Sequence, residues 1–169
     1  GFQTHQAKSC IIVGGGRAAY YLAKRLIELG ISVQIVENKK ERCEELSVLL
    51  PQAIIVNGDG TSEELLNEIG ITTTESLVPL TGIDEENIML TLYAKEVSNA
   101  KVVTKINRIT YTGVIDQLDL GSVVYPKYIT SEAIIAFVRS KTATMNNNIE
   151  TMIHLFDERV EAIEFVVGD

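Results

Sequence analysis

Short apolar runs alternate with amphipathic segments along most of this chain. Each run has the length of a buried strand, and the segments between them repeat apolar positions every three to four residues, as helices do. Strands are expected at residues 8–13, 31–36, 53–56, 76–80, 101–106 and 122–126. Because strands that alternate with helices pair in parallel through right-handed crossovers, the pattern predicts an α/β fold, a Rossmann-like doubly wound parallel sheet.

The ends of the expected helices carry their own signals. The first helix is expected to end at Gly30, in the place of a left-handed C-cap. Thr61 with Glu64 has the spacing of a capping box before the third helix. Thr81 and Asp84 are placed to cap the helix after the fourth strand, where acidic residues suit the positive end of the helix dipole. These acids therefore need no catalytic role.

The pattern changes after residue 140. A polar stretch is followed by two expected strands around a turn, and the predicted sheet has no place for them. We interpret residues 1–8 as a leader or linker, residues 9–140 as the α/β domain, and residues 141–169 as a linker with the opening β-hairpin of a truncated second domain. Since the first residue is glycine, we expect the chain to be a piece of a longer protein.

Composition narrows the classes of partner. A net charge of -8 argues against nucleic acid and against polybasic attachment to membranes, and no apolar run is long enough to cross a bilayer. We expect a soluble chain that binds small ligands or proteins. Cys10, Cys43 and His154 have no metal-ligand spacing, and the two cysteines favour a reducing compartment without a disulfide. The apolar stretch at residues 133–138 is expected to contact another subunit in part.

A triple glycine stands where the first strand meets the first helix. In the dinucleotide-binding fingerprint the first glycine makes the turn, the second lets a pyrophosphate approach, and the third position stays small. Those positions are Gly14, Gly16 and Ala19. The N–H groups of the first helical turn would hold a phosphate. A tight turn that uses glycines for backbone geometry alone is the alternative.

Glu37 ends the second expected strand, about twenty residues after the glycines, where the fingerprint places the acid that binds an adenosine ribose. Its charge would repel a ribose 2′-phosphate, so NADP should be refused while NAD(H), ATP and ADP are tolerated. The alternative is a solvated acid at a strand end.

Other polar residues follow the later strands toward the same edge of the sheet. Asp59 stands between two glycines and could touch the adenine end of a ligand or only stabilise its turn. Thr81 and Gly82 follow the fourth strand, at the edge where open parallel sheets bind ligands. Lys105 ends the fifth strand and could meet a phosphate or ribose, or lie on the surface as a solvated lysine.

Several stretches in combination are more specific than the glycine turn. They are VGGGRAAYYLAKRL, the strand-end Glu37, NGDGTSEELL, VPLTGIDEENIML and VEAIEFVVGD. Together they resemble the RCK domain, also called KTN, of TrkA-type potassium uptake regulators. The likeness runs from Ser9 over nearly the whole chain, with residues 9–140 matching the TrkA-N part and residues 141–169 the start of a TrkA-C-like domain. It is greatest to the second of the two repeats of long TrkA proteins.

The resemblance implies a site and a role. The site residues that it implies are Gly14, Gly15, Gly16, Arg17 and Ala18 around the pyrophosphate, Glu37 at the ribose, and Asp59, Thr81, Gly82 and Lys105. It implies NAD(H), or ATP and ADP, as ligand. It also implies a cytoplasmic homo-oligomer, assembled through RCK dimers on the inner face of the cell membrane, that shifts the gating of a membrane potassium transporter subunit and performs no chemistry.

Two other functions compete with this one. The same fold serves NAD-dependent oxidoreductases, although little chain remains after the expected sheet to supply an acid or base beside a nicotinamide. The other is a structural RCK module with an empty site.

Overall fold

A computed structural model describes residues 9–110, 112–125, 134, 135, 138 and 139 of the chain. Strands and helices alternate over residues 9–125. The elements are β1 (Ser9–Val13), α1 (Arg17–Glu28), β2 (Ser32–Glu37), α2 (Lys40–Leu49), β3 (Ile54–Asn57), α3 (Glu63–Glu68), β4 (Ser76–Pro79), α4 (Asp84–Val97), β5 (Lys101–Lys105), α5 (Thr112–Gln117) and β6 (Ser122–Val124).

The six strands form one parallel sheet in the order β3-β2-β1-β4-β5-β6. This order confirms the predicted doubly wound fold. The direction in which the chain adds strands reverses between β1 and β4, so their carboxyl ends flank the switch point where open α/β sheets hold ligands.

The central strand β1 buries both of its faces. Cys10 and Ile12 belong to one apolar cluster, with side chains of α1 and α2, whereas Ile11 and Val13 belong to a second cluster, with side chains of α3 and α4. Successive residues of a strand point to opposite faces, so one continuous apolar run supplies both clusters. Helices therefore cover the sheet on both sides.

The first helix packs and ends as its sequence predicts. α1 buries residues spaced three or four apart, from Ala19 to Leu26. Gly30 follows with φ +86°. The N–H groups of Gly30 and Ile31 donate to the carbonyls of Ile27 and Leu26, both at 2.9 Å, which is the Schellman arrangement.

The predicted capping box at Thr61 and Glu64 is wrong. Ser62 caps α3, because its hydroxyl accepts from the Leu65 N–H at 3.2 Å. The Thr61 hydroxyl instead donates to Asp59 Oδ1 at 2.6 Å. Thr61 therefore belongs to the tight turn around Asp59, and the next residue, Ser62, is the N-cap of α3.

The predicted cap of α4 is also wrong. Ile83 occupies the N-cap position, and its side chain makes no capping hydrogen bond. Asp84, the first helical residue, is fully buried. Its carboxylate accepts from the backbone N–H groups of Asn107 at 2.6 Å, Arg108 at 2.7 Å and Ile109 at 2.9 Å. Because these consecutive donors converge on it, the carboxylate binds the loop after β5 and not its own helix.

Those bonds set the protonation of Asp84. Burial alone would raise the pKa of its carboxyl, but the N–H groups of Asn107, Arg108 and Ile109 outweigh burial and hold the pKa below its usual value. The stability that the carboxylate contributes is therefore full above the unfolded-state pKa of about 4 and is lost as the pH falls through the folded-state pKa.

Both cysteines are buried free thiols. Burial raises the pKa of Cys10 to about 12. Since thiolates are the reactive form, Cys10 has the character of a structural core residue. In the part of the chain that the structure describes, no helix combines the length and the apolarity needed to cross a bilayer.

Several predictions concern residues outside those that the structure describes: the leader, His154, the linker and the C-terminal hairpin. Of the apolar stretch at residues 133–138, Ile134, Ile135 and Val138 are buried and pack in the same cluster as Ile12. The expected contact of this stretch with another subunit stays a prediction.

Replacing Asp84 with Asn should destabilise the protein in a pH-dependent way. We expect Asp84→Asn to lower the free energy of unfolding by about 3 kcal/mol at pH 7, because an amide cannot accept from all the N–H groups. The difference should shrink as the pH falls below about 4, because there the carboxyl binds a proton in the unfolded chain before it does so in the folded parent protein. Urea unfolding at both pH values measures it, with exposed Glu85→Gln as the control. An equal loss of unfolding free energy at both pH values would contradict the role assigned to the negative charge of Asp84.

Candidate functional site

A cleft of about 700 Å³ opens at the carboxyl edge of the sheet, at the switch point. The residues that line it come from the ends of β1, β2, β4 and β5, from the loop after β3, and from the first turns of α2 and α4. They are Val13, Gly14, Gly15, Gly16, Val36, Glu37, Asn38, Lys39, Arg42, Asp59, Gly60, Leu80, Thr81, Gly82, Ile83, Glu86 and Lys105.

Gly14 begins the turn after β1 and tolerates no side chain. Its φ is +105°, and a methyl group added to it would lie 2.9 Å from the carbonyl carbon and oxygen of Leu80. Its N–H donates to the Val36 carbonyl at 2.8 Å. The turn therefore passes directly between β2 and β4, which only glycine allows.

The next two glycines differ in their surroundings. A methyl group on Gly15 would lie 2.8 Å from Leu46 Cδ1, whereas no atom of the described residues lies within 4 Å of one on Gly16. Gly16 is the N-cap of α1, and its carbonyl accepts the first helical bond, from Tyr20 at 3.1 Å. The first-turn N–H groups of a helix have no partner within it, and they form the positive end of its dipole. This end of the cleft suits an anion.

Glu37 lies beside the glycine turn, where the sequence predicted it. Its Oε1 accepts from the Gly15 N–H and its Oε2 from the Lys39 N–H, each at 2.8 Å. These bonds fix both carboxylate oxygens at the rim of the cleft. Because each oxygen can accept a further hydrogen bond, the carboxylate can still receive donors such as hydroxyl groups.

Arg42 is a cleft residue that sequence reasoning missed. From the first turn of α2, its Nε donates to the Gly15 carbonyl at 2.6 Å, and its Nη1 pairs with Glu45 at 3.2 Å. A cation in a first helical turn opposes the helix dipole, which is a signal that another contact holds it there. Lys40 shares that signal, so the sequence alone does not single out Arg42.

Asp59 both stabilises its turn and lines the cleft. Its Oδ1 accepts from the Thr61 hydroxyl at 2.6 Å and from the Thr61 N–H at 2.8 Å. Both bonds lower the pKa of the exposed Asp59 carboxyl, and the bond from the Thr61 hydroxyl has the larger effect. Gly60 beside it packs so closely that an added methyl group would collide with Val13 Cγ1. The two interpretations that the sequence left open are therefore compatible.

Thr81 is held by a buried amide that sequence reasoning also missed. The Asn87 Oδ1 accepts from the Thr81 N–H at 3.0 Å, and its Nδ2 donates to the carbonyls of Thr81 at 3.1 Å and Lys105 at 2.9 Å. Asn87 is fully buried. One side chain thus fixes the ends of β4 and β5 relative to each other. Gly82 has open space where a side chain would start.

Lys105 brings a partly buried cation to the cleft. Burial lowers the pKa of its ammonium, while the negative charge of Asp84 opposes that shift. Within the described residues, Lys105 makes no ion pair. A cation in this setting gains from an anionic ligand, because such a ligand would offset the cost of its burial.

The cleft brings together most of the predicted site residues but not all. Gly14, Gly15, Gly16, Glu37, Asp59, Thr81, Gly82 and Lys105 line it. Arg17 and Ala18 are exposed in the first turn of α1 and do not line it. In the described part of the chain, no three His, Cys, Asp or Glu residues are grouped to hold a metal ion. The geometry suits a ligand that is anionic at one point and carries hydroxyl groups at another.

Comparison with known proteins places the chain in a sequence family. The family model of the TrkA-N domain matches residues 10–126. The Trk system potassium uptake protein trkA homolog 1 of Methanosarcina mazei is 30% identical over 160 residues, which is 94% of this chain and 38% of the relative. The chain spans 33 to 38% of the length of the first three curated relatives.

Two solved structures share the fold at low sequence identity. The TrkA-N domain of the inner membrane protein ybaL from Escherichia coli has a TM-score of 0.62 at 18% identity and covers 77% of this chain and 92% of its own. The GsuK channel bound to NAD has a TM-score of 0.60 at 14% identity and covers 73% of this chain and 22% of its own.

Gly14, the first glycine of the turn, should not tolerate replacement by alanine, whereas Gly16, the third, should tolerate it. We expect Gly14→Ala to lower the free energy of unfolding by about 2–4 kcal/mol, because it adds left-handed strain and a backbone contact. Gly16→Ala is the matched control, since φ is -75° there and the space beside it is open. Urea unfolding compares the two, and equal losses would show that the turn is not shaped as described.

Proposed function

The chain belongs to the TrkA-N domain family, and from this premise we propose that it binds NAD(H) in the cleft and regulates a potassium uptake system. The observation that carries the proposal is the glycine turn at the start of α1 with the Glu37 carboxylate 2.8 Å from its Gly15 N–H. Together they offer an anion site and a hydroxyl acceptor next to each other, as an adenosine diphosphate group requires.

The residues present fit a dinucleotide. A cleft of about 700 Å³ is within the usual range for a ligand of this class. In the proposal, the backbone from Gly14 through Gly16 holds the diphosphate and Glu37 accepts from the adenosine ribose. Asp59 lies toward the adenine, while Thr81, Gly82 and Lys105 contact the other half. The nucleotide supplies binding energy and undergoes no reaction.

Glu37 also determines which nucleotides bind. A ribose 2′-phosphate would bring further negative charge against a carboxylate that two backbone bonds hold in place. NADP is therefore refused in this proposal. ATP and ADP share the adenosine diphosphate group of NAD and are tolerated by the same contacts.

The regulatory role follows from the family. M. mazei trkA homolog 1, which this chain matches over 94% of its length, is named as a potassium uptake protein. In the proposal, the chain belongs to a homo-oligomer on the cytoplasmic face of the membrane and contacts a potassium transporter subunit. A ligand shifts such an assembly only by as much as its affinities for the two conformations differ. Nucleotide binding and transport are coupled in this way.

Thermal unfolding with and without nucleotide tests the ligand. Saturating NAD should stabilise the chain by about 2.7 kcal/mol at a hundredfold excess over the dissociation constant, and NADP should not. No shift with NAD, NADH, ATP or ADP would contradict the proposal and favour an empty site. Steady NADH production from a panel of alcohols would favour an oxidoreductase instead.

Replacing Glu37 tests specificity. We expect Glu37→Ala to weaken NAD binding by about tenfold, because the ribose loses its charged acceptor, and to narrow the preference for NAD over NADP. Glu41→Ala is the control, an exposed acid in the first turn of α2 that does not line the cleft. Calorimetric titration measures both affinities. An unchanged ratio of the NAD and NADP affinities would contradict the placement of Glu37 in the nucleotide site.

A further inference from the structure

The proposed nucleotide contacts do not explain the role of Arg42, a charged residue that lines the cleft. Arg42 donates from Nε to the Gly15 carbonyl at 2.6 Å and from Nη2 to the Gly16 carbonyl at 3.4 Å. Its Nη1 pairs with Glu45, and the arginine side chain is 28% exposed. The guanidinium is therefore bonded to the glycine turn itself, across 27 residues of sequence.

The bond to the Gly15 carbonyl fixes the direction of the next N–H group. The peptide bonds of the described residues contain no cis isomer. In a planar trans peptide, the carbonyl of one residue and the N–H of the next point in opposite directions. Because Arg42 on α2 holds the Gly15 carbonyl, the Gly16 N–H must point away from α2.

The glycine turn needs such a restraint. Glycine has more accessible backbone conformations than any other residue, so the peptide between Gly15 and Gly16 is free to rotate unless contacts hold it. Glu37 holds the N–H of Gly15 at 2.8 Å and Arg42 holds its carbonyl. Charge-assisted bonds of this kind are about twice as strong as neutral ones. Glu37 at the end of β2 thus fixes the peptide group before Gly15, and Arg42 on α2 fixes the peptide group after it.

We propose that Arg42 is a positioning residue that holds the peptide between Gly15 and Gly16 so that the Gly16 N–H faces a bound diphosphate. The inference rests on the proposed function for the identity of the ligand, but not for the conformation of the turn. It also explains why an arginine occupies the first turn of α2, where the helix dipole disfavours a cation.

The test uses Arg42→Met and Arg42→Lys in the 169-residue chain. Arg25→Met is the matched control, because Arg25 makes the same i,i+3 ion pair with Glu28 on α1 and does not line the cleft. Without ligand, the amide resonances of Gly15 and Gly16 should move in Arg42→Met and stay in place in Arg25→Met.

With ligand, Arg42→Met should bind NAD about tenfold more weakly, as for the loss of a charge-assisted bond. Arg42→Lys should recover part of this loss, since an ammonium group can still donate to one carbonyl. Adenosine, which has no diphosphate, should bind both Arg42 variants as it binds the parent. Glu45→Gln, which removes only an exposed ion pair, should change NAD affinity by less than about twofold.

Two results would overturn the role of Arg42: amide resonances of the turn that are the same in Arg42→Met and the parent, or NAD affinities that are the same. An equal loss of NAD and adenosine binding would also overturn it, because a structural defect does not distinguish the two ligands. If the parent chain binds no NAD, the proposed function fails, while the amide resonances still decide whether Arg42 positions the turn.

Discussion

The hydrogen bond from the Gly15 N–H to the Glu37 carboxylate is the contact on which the cleft depends. It joins the end of β1 to the end of β2 at the switch point of the sheet. The bond sets the glycine turn and the carboxylate side by side, so that an anion site and a hydroxyl acceptor adjoin. Gly14 makes this possible, since its left-handed backbone lets the chain pass against Leu80.

The opposite wall of the cleft is built from buried polar groups. Asn87 ties the end of β4 to the end of β5, and Asp84 ties α4 to the loop that follows β5. Both side chains are fully buried, so removing either would leave backbone groups without partners. The two walls belong to different halves of the sheet. A ligand that bridges them would favour the conformation in which both contact it, as the proposed regulatory role requires.

Much of the fold could be predicted from the sequence, because apolar periodicity and glycine placement are local signals. The parallel sheet, the end of α1 at Gly30 and the place of Glu37 beside the turn follow from them. The side chains of Thr61 and Asp84 were assigned wrongly. Local rules place both as helix caps, whereas Thr61 binds Asp59 and the Asp84 carboxylate binds N–H groups more than twenty residues away. Tertiary contacts decide which hydrogen-bond partner such a polar side chain binds.

The roles of Arg42 and Asn87 were missed for the same reason. Arg42 reaches a turn on another strand, and Asn87 binds the ends of two strands at once. Neither contact has a spacing rule that a single sequence reveals. Arg17 and Ala18 show the converse, since the family resemblance implied that they surround a pyrophosphate but they do not line the cleft. The fingerprint thus locates the turn, and the structure identifies what holds it.

A crystal structure of the chain grown with NAD tests the central claim most directly. The expected result is a diphosphate within hydrogen-bonding distance of the Gly16 N–H and an adenosine ribose whose hydroxyls donate to Glu37. A dinucleotide bound elsewhere on the sheet, or a Glu37 carboxylate that the ribose does not contact, would contradict it.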